Sequence, residues 1–288
     1  MARKSSPVFK AFSGIVGEDQ AGQISKGIDV VGDIAIIKSP SELGEKNRLL
    51  GEALLREMPS IKVVLRQSSP VKGELRLREV EWLAGERRTI TVHKEFGCRY
   101  HVDVAKAYFS PRLSAERSRV SEDIRQTFKG PSEVVINMFA GVGCFSILIA
   151  KMNRNVKVYS IDVNPEAVQF MLRNIRLNKV SRQVTAGLAD AATLVEACFA
   201  GRADRVLMPL PERAYQYLPQ ALNALRKGGV IYYQLFVHAD KGEDPIKKSE
   251  EETRKLMRGI EHDLKSRIIR EVGPYWYQIA QDITVYAI

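Results

Sequence analysis

EVVINMFAGVGCFSILIAKMNRNVKVYSIDVNPEAVQF, residues 133–170, decides the fold. The apolar run Val134–Met138 passes into Phe139-Ala140-Gly141-Val142-Gly143 and then into a helical period, and a second strand pattern, Val156–Ile161, ends on Asp162. Strand, glycine turn, helix and strand in that order are the alternation of a parallel α/β sheet. Gly141 and Gly143 permit a tight turn and close approach of a ligand to the backbone. The third glycine of the dinucleotide fingerprint is missing, because Ser146 and Ile147 follow, and this disfavours a pyrophosphate ligand. Asp162 lies about 20 residues beyond the glycines, where a carboxylate accepts paired hydrogen bonds from a ribose diol. Asn164-Pro165 then starts the next helix.

Working outward, Gln183–Gly187, Arg205–Met208, Val230–Phe236 and Tyr277–Ile288 read as further strands. Asp190, after the third strand, suits either an adenine amino group or a helix N-cap, and the residues leave the two open. The charged stretch 240–265 reads as a solvated helix with i,i+4 pairs. Upstream, residues 1–27 are poorly periodic and read as a tail, and 28–110 read as a small α+β domain. Its expected parts are a strand at Ile28–Ile37 with a Gly-Asp interruption, a helix at Glu45–Glu57, and strands at Ile61–Leu65, Glu74–Val80, Thr89–His93 and Cys98–Val102. Ser114–Phe128 has the period of an amphipathic helix and leads the second domain, 111–288, with Lys129-Gly130-Pro131 as the linker.

Composition agrees with two folded cores: 288 residues, 45% apolar and 27% charged, which excludes disorder and collagen. Cys98, Cys144 and Cys198 are odd in number and unspaced for ligation, with four His beside them, so neither a disulfide framework nor a metal site is expected. That usage suits a reducing, cytoplasmic compartment. No apolar run reaches the ~20 residues of a membrane span. The net charge of +10 points to a polyanionic partner. About 23 basic and 17 acidic residues precede Gly130 against about 21 and 17 after it, so the anion-binding surface is folded and not a tail.

Four blocks carry a resemblance: YFSPRLSAER (108–117), NMFAGVGCFSILIAK (137–151), IDVNPEAVQFMLRNIRLNKV (161–180) and DRVLMPLPERA (204–214). The glycine turn, the Asp162 segment and the Asp190 loop resemble class I S-adenosylmethionine-dependent methyltransferases. The four together resemble the archaeal and eukaryotic family that methylates N1 of guanosine at tRNA position 37. The resemblance implies a Rossmann-like class I methyltransferase domain preceded by a small α+β domain, with S-adenosyl-L-methionine as cofactor. It implies cofactor contacts at Tyr108, Phe139, Gly141, Val142, Gly143, Asp162, Val163, Asn164, Asp190 and Pro209. It also implies Glu116 as general base, Arg76 and Arg112 beside the reacting base, and Arg78, Arg88, Arg117 and Arg119 toward RNA. Chemically the set is coherent: guanine N1 must lose a proton to attack a methyl group, and a cation near O6 stabilises the charge that develops. Without the blocks around them, Arg112, Glu116 and Arg119 would read as a surface helix with an i,i+4 pair, and Arg76 as an exposed strand arginine.

The chain departs from that family at Met208-Pro209-Leu210-Pro211, where guanosine methylases have Asn-Leu-Pro. Pro209 offers neither a side-chain amide nor a backbone N–H. This resembles the archaeal branch that works in wyosine formation on phenylalanine tRNA, whose members methylate carbon 7 of 4-demethylwyosine to isowyosine and in part also make N1-methylguanosine. The alternative is a guanosine-37 N1 enzyme only. An aminocarboxypropyl transferase of the same pathway is the weaker reading, because Ser110–Leu113 keeps the Ser-Pro-Arg-Leu which that branch lacks. A non-catalytic RNA-binding protein and a small-molecule methyltransferase are the rivals from other classes. Only about 27 residues precede the first strand, which leaves no room for an elbow-binding domain. Recognition is therefore expected at the anticodon arm, by a monomer, with Arg66, Lys72, Arg87, Arg88, Lys94 and Arg99 as candidate phosphate contacts.

Overall fold

The computed structural model describes residues 6–128 and 130–287, and these form two compact units, one ending at Ser114 and the other beginning at Ala115. The expected linker at 129–131 falls inside the second unit, Lys129 and Ile288 lie outside the described residues, and so do residues 1–5 of the expected tail.

The rest of that tail is folded. Ser6 caps α1 (Pro7–Val16), its hydroxyl accepting from Phe9 N at 3.1 Å, and Pro7 occupies the first turn, where its missing N–H costs nothing. α1 and α2 (Glu18–Lys26) bury Phe9, Phe12, Ala21 and Ile24 in one apolar cluster with Ile37, Leu50, Leu54 and Val64. The interrupted strand is a hairpin, β1 (Asp29–Val31) and β2 (Ile34–Ile37), turning at Gly32-Asp33. Gly32 has φ +57°, and a Cβ there would lie 2.2 Å from Thr91 Oγ1, so no other residue fits. After α3 (Glu45–Glu57) come β3 (Val63–Gln67), β4 (Val80–Gly85), β5 (Ile90–Glu95) and β6 (Cys98–Asp103). The first four strands form one sheet in chain order, antiparallel except for β2–β3, and β5–β6 is a separate hairpin. The strand expected at 74–80 is a run of turns: Arg76 has φ +53°, and the strand starts only at Val80.

The second unit opens with α4 (Ser114–Gln126) and alternates β7 (Glu133–Asn137), α5 (Cys144–Met152), β8 (Val156–Asp162), α6 (Pro165–Leu177), β9 (Val184–Leu188), α7 (Ala191–Cys198), β10 (Ala203–Met208), α8 (Leu218–Ala224) and β11 (Leu225–His238). α9 (Pro245–Leu256), β12 (Glu261–Gly273) and β13 (Trp276–Ala287) complete it. The solvated helix read across 240–265 is therefore shorter, and its last residues belong to β12. Strand order is β12-β13-β11-β10-β7-β8-β9, with β13 antiparallel to both neighbours. From β7 the chain winds outward first through β8 and β9, then on the other side through β10 and β11. That reversal opens a crevice at the carboxyl ends of β7 and β10, where ligands of such sheets bind.

Candidate active site

The glycine turn leaves β7 at the crevice. Asn137 fixes its start, donating from Nδ2 to Ser146 Oγ at 3.0 Å while its Oδ1 accepts from Phe139 N at 3.3 Å. Asp162 ties the turn to β8: Oδ2 accepts from Gly141 N at 2.6 Å and Oδ1 from Asn164 N at 2.9 Å. Burial pushes the Asp162 carboxyl above the usual carboxylate range, against the N–H groups of Asn164, Gly141 and Val163, which favour its charge. Gly143 serves packing: at φ +91° its Cβ would meet Met171 Cγ at 3.0 Å and Ile147 Cδ1 at 3.1 Å. Val142 is buried and its carbonyl accepts from Asn174, so its side chain faces the interior and not a ligand. Asn164 caps α6, its Oδ1 accepting from Glu166 N and Ala167 N. Asp190 caps α7, its Oδ1 accepting from Thr193 N at 2.9 Å, which is the helix-cap alternative left open by the sequence.

Two apolar side chains here are open to solvent, Val163 at 41% and Leu188 at 57%, and Leu188 pairs in register with Asp162. A carboxylate flanked by exposed aliphatic surface fits an adenosine, whose ribose needs acceptors and whose purine needs apolar faces. Leu188 was not singled out in the sequence, because one leucine ending a strand carries no signal. Half-buried Phe139 packs edge-on against Tyr217, with ring centroids 4.9 Å apart.

Across the crevice, Glu116 is 6% exposed on the first turn of α4 and lines a small cavity with Pro209, Phe145, Tyr233 and Gln281. Arg119 holds it with both arms of its fork, Nη2 to Oε1 at 2.8 Å and Nε to Oε2 at 3.0 Å. The same guanidinium donates to Asp282 at 2.9 and 3.0 Å. Arg267 also donates to both Asp282 oxygens and lies 3.7 Å from Glu116 Oε1. Arg119 is thus engaged with carboxylates, and Arg117, 3% exposed, is interior; both differ from the RNA-facing role expected.

In the first unit the arginines are also held. Arg112 lies in a 3-10 turn, Pro111–Leu113, and its Nε donates to Asp29 at 2.6 Å. Arg78 is buried, donating to the Phe109 carbonyl at 2.9 Å and 3.7 Å from Asp29, which removes it from phosphate contact. Desolvation lowers its pKa, and Asp29 opposes the shift. Arg88 donates to both Asp33 oxygens, at 2.9 and 2.6 Å, and to Glu86, bonds that raise its pKa above the ordinary arginine value and leave little of it for RNA. Arg76 stacks on Tyr108 with its guanidinium carbon 3.9 Å from the ring centroid, in a turn and not on a strand. Lys94 and Arg99 face each other across β5–β6, and both are exposed. Among the described residues no cluster of His, Cys, Asp or Glu could hold a metal, and no helix is long and apolar enough to cross a membrane.

A seven-stranded sheet in this order, with a glycine turn after its central strand and an acidic end on the next, defines a class I methyltransferase. The chain belongs to the TRM5/TYW2 methyltransferase family, S-adenosylmethionine-dependent enzymes that modify tRNA: that domain matches residues 91–261 and the TYW2 N-terminal domain matches 8–89. It is 38% identical over 269 residues to the tRNA (guanine(37)-N(1))-methyltransferase Trm5b of Methanocaldococcus jannaschii, covering 93% of this chain and 74% of that one. It is 38% identical over 265 residues to the tRNA 4-demethylwyosine(37)-methyltransferase Taw21 of Saccharolobus solfataricus, covering 90% and 94%. The solved complex of aTrm5 with tRNALeu superposes with a TM-score of 0.83 at 35% identity, over 99% of this chain and 79% of that one.

Proposed function

We propose that the protein methylates the nucleoside at position 37 of phenylalanine tRNA during wyosine-derivative formation. Its product is isowyosine, by methylation of carbon 7 of 4-demethylwyosine, and it also acts on N1 of guanosine. The observation that carries this reading is the cavity that Glu116 shares with Pro209. It sets the Glu116 carboxylate beside Pro209, which carries neither an amide nor an N–H, and that chemistry suits the bulkier tricyclic base better than an amide does. The likeness to Taw21 supports it, and the equal identity to Trm5b favours the second reading, a guanosine N1 enzyme only.

When bound, the cofactor supplies an electrophilic methyl group on its sulfonium. Asp162 accepts the ribose hydroxyls, Gly141 and Asn164 hold that carboxylate in place, and Val163 and Leu188 cover the purine. Glu116 takes the proton that the base gives up, from carbon 7 after the methyl has joined it or from N1 as it attacks. Arg76 and Arg112 are assigned to the charge developing on the base, and Lys94 and Arg99 to phosphate. An enzyme working on tRNA is expected in the cytoplasm, as a monomer.

The test is transfer from labelled S-adenosylmethionine to two phenylalanine tRNA transcripts, one with guanosine at position 37 and one converted to 4-demethylwyosine, followed by nucleoside mass spectrometry. Label on both supports the full reading. Label on guanosine alone establishes the second reading, and a mass gain of an aminocarboxypropyl group overturns both.

A further inference from the structure

We propose that Asp282 and Arg267 are positioning residues for Glu116: they hold Arg119 while Glu116 releases it to accept the substrate proton. This rests on the reading of Glu116 as the base. Three elements converge on the carboxylate, with Glu116 and Arg119 from α4, Arg267 from β12 and Asp282 from β13. Two carboxylates face two guanidiniums, so the cluster is balanced in charge as it stands.

Arg119 occupies both oxygens of Glu116. One oxygen must come free before a base proton can be taken. Letting go of a half-buried guanidinium would be costly if it were left alone. Asp282 removes that cost: it already accepts from Nη1 and Nη2 of Arg119, so the cation keeps a carboxylate when Glu116 leaves. Arg267, on both oxygens of Asp282, balances the charge of that carboxylate so that two anions can share one fork.

The other ionisable groups facing the cluster do not replace this arrangement. The Tyr232 ring lies under Arg119, 5.9 Å from its guanidinium carbon, and its hydroxyl donates to Asp123 at 2.6 Å. Burial raises the phenol pKa of both Tyr232 and Tyr233, so neither accepts a proton at neutral pH. Lys265 sits opposite Asp282 in the β12–β13 register and adds one more cation on that side.

The experiment is the single-turnover methylation rate against pH for wild type, E116Q, D282N, R267Q and D282E, with the cofactor Kd measured on each. D282N leaves two guanidiniums on one carboxylate, so Glu116 is held tighter. Its rate should fall about 10- to 100-fold with the tRNA KM within about threefold, and the acid limb of the profile should move to lower pH. R267Q removes a cation and should move the limb to higher pH, while D282E should restore most of the rate. Opposite displacements at unchanged cofactor Kd support the proposal. Limbs that stay put or move together, in an enzyme that still needs Glu116, overturn it. E116Q at the wild-type rate overturns the reading of the base itself.

Discussion

Asp162 combines two roles that one carboxylate rarely holds without cost. It organises the glycine turn through Gly141 and Asn164, and burial lifts its pKa because the charged form is poorly solvated. A protonated Asp162 loses an acceptor for a ribose hydroxyl, so cofactor affinity should fall as pH is lowered, beginning above the ordinary carboxylate value of 3.8. Calorimetric titration from neutral to acid pH checks this, and an affinity constant down to pH 4 would contradict it. Asp162→Ala should weaken binding roughly 10- to 100-fold, as expected for a charged hydrogen-bond acceptor. Glu116→Ala should leave that affinity alone and lower turnover about 10²- to 10⁴-fold. Asp162 could be singled out by its spacing from the glycine turn, whereas Glu116 could be singled out only by the resemblance of its block, since its own spacing reads as a surface helix. Asp282 could not: it meets Arg119 across 163 positions, and an aspartate in a strand gives no sign of that. Arg112 departs from the helical spacing because the 3-10 turn at Pro111–Leu113 precedes the helix and sets its guanidinium on Asp29.

At the scale of elements, hydrophobic period decided what could be read. The parallel strands and α5 and α6 are apolar, regular and bounded by glycine, asparagine or proline, so they stood out. α1 carried a capping serine and a first-turn proline, but Gly14 and Gly17 broke its pattern, and it passed for a tail. Its packing gives a direct check. Phe12 is fully buried in the first unit's core, and Phe12→Ala should destabilise that unit by about 3 to 5 kcal/mol, measured as a drop in thermal midpoint. A change under about 1 kcal/mol would mean that α1 contributes little to the core. The strand expected at 74–80 failed because alternation at Glu74, Leu75, Arg76 and Leu77 looks like a half-buried edge, whereas Lys72 and Leu77 close a turn between them. β12 was missed for the opposite reason, since its alternation is masked by the charges that precede it.

The net charge of +10 foretold a polyanionic partner but not which cations meet it. Folding commits many of them: Arg88 to Asp33, Arg119 and Arg267 to Asp282, Arg205 to Glu133, and Arg66 to Glu81. A cation already paired with a carboxylate releases few counterions when a phosphate arrives, so the salt dependence of tRNA binding should reflect the exposed remainder. The logarithm of affinity against the logarithm of KCl concentration should therefore fall with a slope of about −3 to −5, shallower than ten freely contacting charges would give. Cofactor affinity, which we propose rests on Asp162 and apolar surface, should stay flat over the same range. Replacing exposed Lys94 by glutamine should lower the slope by about one, as expected for the loss of one phosphate contact. Filter binding between 50 and 300 mM KCl measures all three. An unchanged slope in that variant would move the phosphate contact elsewhere on the surface, and a wild-type slope near zero would remove charge as the basis of tRNA recognition.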